Sequence, residues 1–256
     1  MGTLYLVRHG QASFGAEDYD NLSELGVKQS VRLGEYWRGK GLTFDAALVG
    51  TLKRHAQTYA GICQGLSGAA PALSAAANPE EVASVGAPLF WPGLNEYDSA
   101  AVIATVHPQP LQKPDTPELY RHHFRLLRDG LTQWMNGVVS PKGMPTYPEF
   151  LRGVTSALDH VRELPHGSDH DKGGKGGKGG SGGSGNVLLV SSGGPISTAV
   201  GHVLGTTPET TIELNLRIRN SSVTEFAFNP RRHMLVTFNT LPHLDAPEHA
   251  LWVTYA

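Results

Sequence analysis

Three short apolar runs constrain the fold of this chain more than any other feature. They are TLYLVRHG (3–10), FDAALVGTLKRH (44–55) and NVLLVSSGG (186–194), and each passes from an unbroken apolar segment into polar residues. Each is typical of a buried strand followed by a helix, and strands that are apolar on both faces are typical of a parallel sheet. In open sheets of this kind, ligands bind beyond the carboxyl ends of the strands. We therefore predict an α/β layer structure in which the three turns face one crevice.

Helices are predicted between these strands. Ser23 can cap a helix that runs toward Gly39, and Thr116-Pro117-Glu118 has the residues of a second helix start. After that start, apolar residues spaced by three and four predict a stripe that packs in the core: Tyr120, Phe124, Leu127, Leu131, Trp134 and Val138. A similar pattern predicts another helix behind Pro148, with Phe150, Val154, Leu158 and Val161 on its apolar face. Residues 223–228 and 233–238 are expected to form two β-strands joined by a turn.

Composition excludes several classes of protein. The 256 residues are 39% hydrophobic and have a net charge of -2, which disfavours a nucleic-acid-binding or anionic-membrane surface. Cys63 is the only cysteine, no signal-peptide pattern opens the sequence and no apolar run approaches the ~20 residues of a membrane span. We expect a cytoplasmic protein, and its oligomeric state stays open. Residues 1–256 are predicted to form a single domain with a flexible glycine-rich insertion at 171–185.

The polar residues at the strand ends favour chemistry on an anion. Arg8, His9 and Gly10 follow the first run directly, Arg54 lies in the first turn of the next predicted helix, and Glu96 lies in GLNEYD. Taken alone, an imidazole at a strand end can be a nucleophile, a general base, a metal ligand or a structural residue. Guanidinium groups match phosphate oxygens in pairs and stay charged, whereas two close arginines would disfavour a metal site. The set therefore indicates phosphoryl transfer.

Several motifs together resemble the histidine phosphatase superfamily, also called phosphoglycerate mutase-like, in its branch of small bacterial phosphatases and cofactor-dependent mutases. The similar segments are LVRHGQ (6–11), YDNLSELGVKQS (19–30), TLKRHAQT (51–58), LNEYD (94–98) and VLLVSSGGPI (187–196), with support from residues 215–228 and 238–244. The resemblance implies a three-layer α/β/α fold with a mostly parallel central sheet.

The resemblance also implies a mechanism that uses neither metal nor cofactor and acts on a small phosphorylated substrate. His9 would attack phosphorus to form a phosphohistidine, with its other ring nitrogen donating to a backbone carbonyl. Arg8 and Arg54 would hold the phosphate oxygens. Glu96, with a raised pKa, would protonate the leaving oxygen before water releases phosphate.

The sequence departs from the family pattern at position 192, where members commonly have a histidine in S-H-G-G and this chain has Ser192 before Gly193. A serine still donates one hydrogen bond to phosphate, but loss of an electrostatic donor typically slows a reaction by a factor of about a hundred to a thousand. His243 in LPHL would either compensate or only pack. Gln11 is either a polar contact to substrate or an exposed loop residue. Gly15, in place of an asparagine common in mutases, favours a phosphatase.

Other histidines receive weaker interpretations. The spacing of His160, His166, Asp169 and His170 matches no standard metal-ligand set. His55 and the pair His122–His123 lie on predicted helices and are expected at or near the surface. Two further functions stay open at this point: a mutase that retains its phosphoenzyme, and a module that binds a phosphorylated ligand without turnover.

Overall fold

The computed structural model describes residues 1–13, 20–68, 85–112, 115–164 and 185–255. Within these residues, six strands are formed: β1 (Gly2–Arg8), β2 (Ala46–Val49), β3 (Leu89–Phe90), β4 (Asn186–Ser191), β5 (Val223–Asn229) and β6 (Arg232–Thr240). The helices are α1 (Glu24–Gly39), α2 (Lys53–Ser67), α3 (Ser99–Ala104), α4 (Pro117–Met135), α5 (Tyr147–Glu163), α6 (Gly193–Leu204) and α7 (Pro208–Arg217). Short 3₁₀ turns span Pro92–Leu94, Pro242–Leu244 and Pro247–Trp252.

The strands form one sheet in the order β3-β2-β4-β1-β5-β6. The first four strands are parallel, and β5 and β6 are antiparallel to their neighbours, which confirms the predicted mostly parallel sheet. Arg8 pairs with Ser191, and Val49 pairs with Val190, so β1, β4 and β2 end at the same level. The three polar turns of the sequence therefore lie side by side at one edge.

Two hydrophobic cores cover the two faces of the sheet. Alternate residues of β4 enter different cores, with Val187 and Leu189 on the face packed by α3 to α7 and Leu188 and Val190 on the face packed by α1 and α2. Because both faces are buried, both sets of alternate positions must be apolar, which explains the unbroken runs. The predicted three-layer α/β/α arrangement is confirmed.

Most of the predicted elements begin where their capping residues stand. Ser23 accepts a hydrogen bond from the N–H of Gly26 at the start of α1, and Thr116 accepts one from Leu119 at the start of α4. The apolar face predicted for the helix behind Pro148 is buried throughout, and β5 and β6 form the expected pair. Cys63 is buried on α2.

The stripe predicted on the fourth helix is wrong in part. Leu127, Leu131 and Trp134 are buried, but Tyr120, Phe124 and Val138 are exposed. The first two turns of α4 are exposed on nearly every side, so their periodicity does not mark a packed face. The helix ends at Met135, and Gly137, with φ +71°, turns the chain away before Val138.

Some predictions fall outside the described residues. The glycine-rich insertion at 171–185 is one of them, apart from Gly185, and Gly15, His166, Asp169 and His170 are others. That residues 1–256 form a single domain stays a prediction. None of the described helices is long and apolar enough to cross a membrane.

Candidate active site

Three neighbouring strand ends place the candidate residues. The backbone N–H of His9 donates to Ser191 O at 2.9 Å, and the N–H of Gly50 donates to Val190 O at 3.0 Å. The chain therefore leaves β1, β4 and β2 at one level, with Ser192 next to His9 and with Arg54 in the first turn of α2 after β2. This is the edge where an α/β sheet holds its ligands.

The imidazole of His9 is held in one protonation state. His9 is 4% exposed, and its Nδ1 lies 2.7 Å from Gly10 O. Because a carbonyl oxygen only accepts, Nδ1 has the proton and Nε2 has the lone pair. Burial, followed by the charges of Arg8, His55 and Arg54, lowers the pKa of His9 well below 6.5. His9 is thus a neutral imidazole with a basic Nε2 at neutral pH.

The turn that follows His9 is fixed between α1 and α2. The N–H of Gly10 donates to Thr58 Oγ1 at 3.1 Å, and that hydroxyl donates to Arg54 O at 2.7 Å. A Cβ on Gly10 would lie 2.4 Å from Gly26 O, so this turn needs glycine to pass α1. These contacts set the distance of α2, and therefore of Arg54, from the nucleophile.

Two buried guanidinium groups share the site. Arg8 donates through Nη1 to Ile218 O, and Arg54 donates through Nη1 to Asp20 Oδ1 at 2.7 Å. The other carboxylate oxygen of Asp20 accepts from the N–H of Lys53 at 2.9 Å, so Asp20 joins the start of α2 to Arg54. Asp20 lies in the YDNLSELG segment, yet the sequence analysis gave it no role. An anchored guanidinium loses little freedom when it binds an anion.

Glu96 lies across the N-terminus of α6. Its Oε2 accepts from the N–H of Gly194 at 3.2 Å, and Ser191 Oγ donates to Leu94 O at 2.6 Å to hold the approaching loop. Burial raises the pKa of Glu96, while the Gly194 N–H and both arginines act to lower it. The net rise agrees with the prediction. A Cβ at position 194 would lie 2.2 Å from Glu96 Oε1, so glycine is needed for this contact.

Ser192 has a partner that the sequence analysis missed. Its Oγ lies 2.7 Å from Nε2 of His55, which is 0% exposed, and the rings of His55 and His9 have centroids 5.7 Å apart. The prediction that His55 lies at or near the surface is therefore wrong. Tyr59 and Ile62 follow it by four and seven residues and are also buried, so helical periodicity could have placed it on the inner face of α2.

Solved structures share this fold across nearly the whole chain. The phosphoserine phosphatase of Entamoeba histolytica is 17% identical, covers 95% of this chain and 100% of its own, and has a TM-score of 0.55. The putative alpha-ribazole-5'-P phosphatase of Escherichia coli is 16% identical, covers 94% and 97%, and has a TM-score of 0.55. The mycobacterial glucosyl-3-phosphoglycerate phosphatase is 17% identical, covers 94% and 100%, and has a TM-score of 0.57.

A family model matches the first part of the chain. Residues 4–75, which include the His9 turn, Asp20 and Arg54, match the family described as Histidine phosphatase superfamily (branch 1). Over these residues the sequence is similar to that family. None of the curated proteins compared with it matches its sequence. At identities of 16–17%, these solved structures show the shared fold alone.

Two candidate residues, Gln11 and His243, lie at the margin of the cluster. Gln11 is half-buried, and its Oε1 accepts from Ser23 Oγ at 2.7 Å at the start of α1. His243 is buried behind the His9 turn, with Nε2 2.9 Å from Ser221 Oγ, while Ser221 N donates to His9 O at 3.2 Å. These contacts favour packing for His243, and the imidazole beside Ser192 belongs to His55 instead.

The described residues offer a site for an anion. They include no group of three or more His, Cys, Asp and Glu side chains that could hold a metal ion, and His160 packs against the ring of Trp91. The site combines two guanidinium groups, a neutral imidazole and a carboxyl group with a raised pKa. Such a set can bind an oxyanion, attack it and supply a proton.

Proposed function

We propose that the protein is a phosphomonoesterase that works through a phosphohistidine on His9, without a metal or a cofactor. The observation that supports this most directly is the orientation of His9. Its Nδ1 is fixed on Gly10 O, so that Nε2 is the free nucleophilic nitrogen, and Arg8 and Arg54 are near enough to lower its pKa. A lone pair flanked by two cations suits attack on an anionic electrophile.

In the first step, Nε2 of His9 forms a bond to phosphorus as the bond to the ester oxygen breaks. Glu96, whose pKa is raised by burial, gives its proton to the departing oxygen. In the second step, Glu96 takes a proton from water, and the resulting hydroxide oxygen attacks phosphorus. The P–N bond then breaks, inorganic phosphate is released and free His9 is restored.

Arg8 and Arg54 stabilise the phosphoryl oxygens in both steps. A charge pair at contact distance contributes about 4 kcal/mol at an effective dielectric near 20, and both side chains are buried enough for that environment. Ser192 and the N–H of Gly193 stand at the start of α6, where the helix dipole favours an anion. We propose that Gln11 contacts the rest of the substrate.

We propose a small phosphorylated metabolite as substrate. The structures of similar fold include phosphatases named for phosphoserine, alpha-ribazole-5'-P and glucosyl-3-phosphoglycerate, which all have a small phosphorylated group in common. In this chain, two buried arginines beside the nucleophile would repel a divalent cation, which supports a reaction without metal.

The test is a phosphate-release screen over phosphorylated sugars, glycerates, nucleotides and phosphopeptides, with para-nitrophenyl phosphate as a generic substrate. We expect turnover that is abolished in His9→Ala, and an acid-labile phosphate on His9 after rapid quenching with labelled substrate. His233→Leu, at a half-buried histidine of β6, is the matched control and should keep full activity. Transfer of label between substrate hydroxyls without release would indicate a mutase. Binding without turnover or a trapped phosphoenzyme would refute the phosphatase proposal.

A further inference from the structure

A second buried histidine adjoins the nucleophile and has no part in the chemistry above. His55 is 0% exposed, lies in the first turn of α2 next to Arg54, and has its Nε2 2.7 Å from Ser192 Oγ. A buried polar ring loses its contacts with water, so it is retained at a cost unless its hydrogen bonds replace them. The position of His55, with its ring centroid 5.7 Å from that of His9, suggests a use at the active site.

The surrounding backbone makes room for this ring. A Cβ on Gly50, at the end of β2, would lie 2.1 Å from His55 Nδ1 and 2.8 Å from its Cε1. Any larger residue at position 50 would therefore displace the ring. On the other side, the 2.7 Å contact leaves space for only a small side chain at position 192. A glycine, a histidine and a serine on three different segments thus fit together as one unit.

The hydrogen-bond partners of His55 determine which of its ring nitrogens has the proton. His55 Nδ1 is buried and has no hydrogen-bond partner among the described residues. A proton on Nδ1 would be a buried donor without an acceptor, whereas a proton on Nε2 has Ser192 Oγ to accept it. The Nε2–H tautomer is therefore favoured. Ser192 then accepts from His55, and its own O–H is left to donate elsewhere, since its Oγ has no other hydrogen-bond partner among the described residues.

We propose that His55 is a positioning residue that orients Ser192 as a hydrogen-bond donor to the phosphoryl group bound at His9. The relay runs from His55 Nε2–H to Ser192 Oγ, and from the Ser192 hydroxyl to a phosphoryl oxygen. No proton is transferred along this relay. The proposal rests on the proposed function for the identity of the ligand, but the His55–Ser192 contact is independent of turnover.

Electrostatics agree with a neutral relay. Burial, followed by the charge of Arg54, lowers the pKa of His55 to about 3. The ring is then uncharged near neutral pH, so it supplies an aligned dipole to Ser192, and the positive charge of the site comes from the arginines. A neutral donor beside two cations also avoids a third like charge in a buried site.

The experiment measures inorganic phosphate binding by calorimetry and steady-state hydrolysis of para-nitrophenyl phosphate in matched variants. His55→Leu should weaken phosphate binding and lower kcat/KM by about tenfold, the value of one hydrogen bond to a charged group. His55→Gln can offer an N–H from a similar reach and should recover most of both. Gly50→Ala, which displaces the ring without changing it, should resemble His55→Leu. The control His233→Leu should change neither quantity.

The double variant distinguishes a relay from two separate structural effects. If His55 acts through Ser192, then Ser192→Ala combined with His55→Leu should be no worse than Ser192→Ala alone. Additive losses, or a His55→Leu protein with wild-type phosphate affinity and kcat/KM, would overturn the proposal. Thermal melting of each variant shows whether a loss comes from misfolding, and rescue by glutamine at an unchanged melting temperature supports the relay.

The outcome for the wild-type protein separates the two proposals. Phosphate binding that depends on His55 in a protein without turnover would support the relay and refute the phosphatase. Turnover that is insensitive to His55 and to Gly50 would refute the relay alone. A wild-type protein that binds no phosphate would overturn both.

Discussion

Gly194→Ala tests whether Glu96 is the proton donor. The added Cβ would lie 2.2 Å from Glu96 Oε1 and 2.7 Å from the ring of Tyr97, so the carboxyl group has to move by about 1 Å to restore an ordinary contact. Misplacement of a catalytic group by about 1 Å can cost a hundredfold in rate. That factor corresponds to about 2.7 kcal/mol of transition-state stabilisation. The N–H contact of 3.2 Å between residue 194 and Oε2 is also lost.

The loss should depend on the leaving group. An alkyl phosphate leaves as a strongly basic oxygen that needs a proton, whereas para-nitrophenolate leaves readily without one. We expect kcat for an alkyl phosphate to fall about a hundredfold in Gly194→Ala, and kcat for para-nitrophenyl phosphate to change little. Gly39→Ala is the matched control, because a Cβ at that helical glycine meets nothing within 4 Å. Equal losses on both substrates would refute Glu96 as the acid, and so would an unchanged rate on the alkyl ester.

Three further predictions follow from the contacts of the site. Ser192→His alone should give no gain in kcat/KM on para-nitrophenyl phosphate, because His55 already fills the space beside position 192, with Nε2 2.7 Å from Ser192 Oγ. Ser192→His combined with His55→Ala should raise kcat/KM about tenfold. A gain from the single variant would contradict this packing. Asp20→Asn should raise KM up to about fivefold with little change in kcat. The reason is that a partly exposed ion pair such as Asp20–Arg54 contributes about 0.2–1 kcal/mol to holding Arg54 in place. A lower KM would instead mean that Asp20 competes with phosphate for Arg54. The third concerns pH: the folded-state pKa of His55 lies below its usual 6.5, at about 3, so the unfolded chain binds more protons between these values. The stability contributed by His55 is then complete above pH 6.5 and declines as the pH falls, by about 2 kcal/mol at pH 5. In urea unfolding, the free energy of unfolding of His55→Leu should therefore fall by about 2 kcal/mol less than that of the wild type between pH 7 and pH 5. Parallel pH profiles of the two proteins would exclude a buried neutral ring.

The fold could be predicted from the sequence because its main signals are local. Apolar runs of strand length, ended by glycine and polar residues, reported strands buried on both faces, and Ser23 and Thr116 marked helix starts. The same local logic failed at Tyr120, where helical spacing was present without a partner to cover it. Periodicity shows which residues share a face, and only the tertiary arrangement shows whether that face is buried.

The site, like the fold, could be predicted from the sequence only in part. His9 and Ser192 follow strands whose order is set by the parallel sheet, so their meeting could be anticipated from the turns alone. The contact between His55 and Ser192 could not be predicted from the turns, because it depends on how far α2 is rotated and shifted against the end of β4. Those quantities are set by the Gly10–Thr58 contact and by the missing side chain of Gly50. The first of these joins residues 48 apart in the sequence, and His55 is 137 residues from Ser192. Ser192 is smaller than the histidine of the family pattern, so its role depends on which side chain fills the remaining space. Here the imidazole of His55, from another helix, fills it.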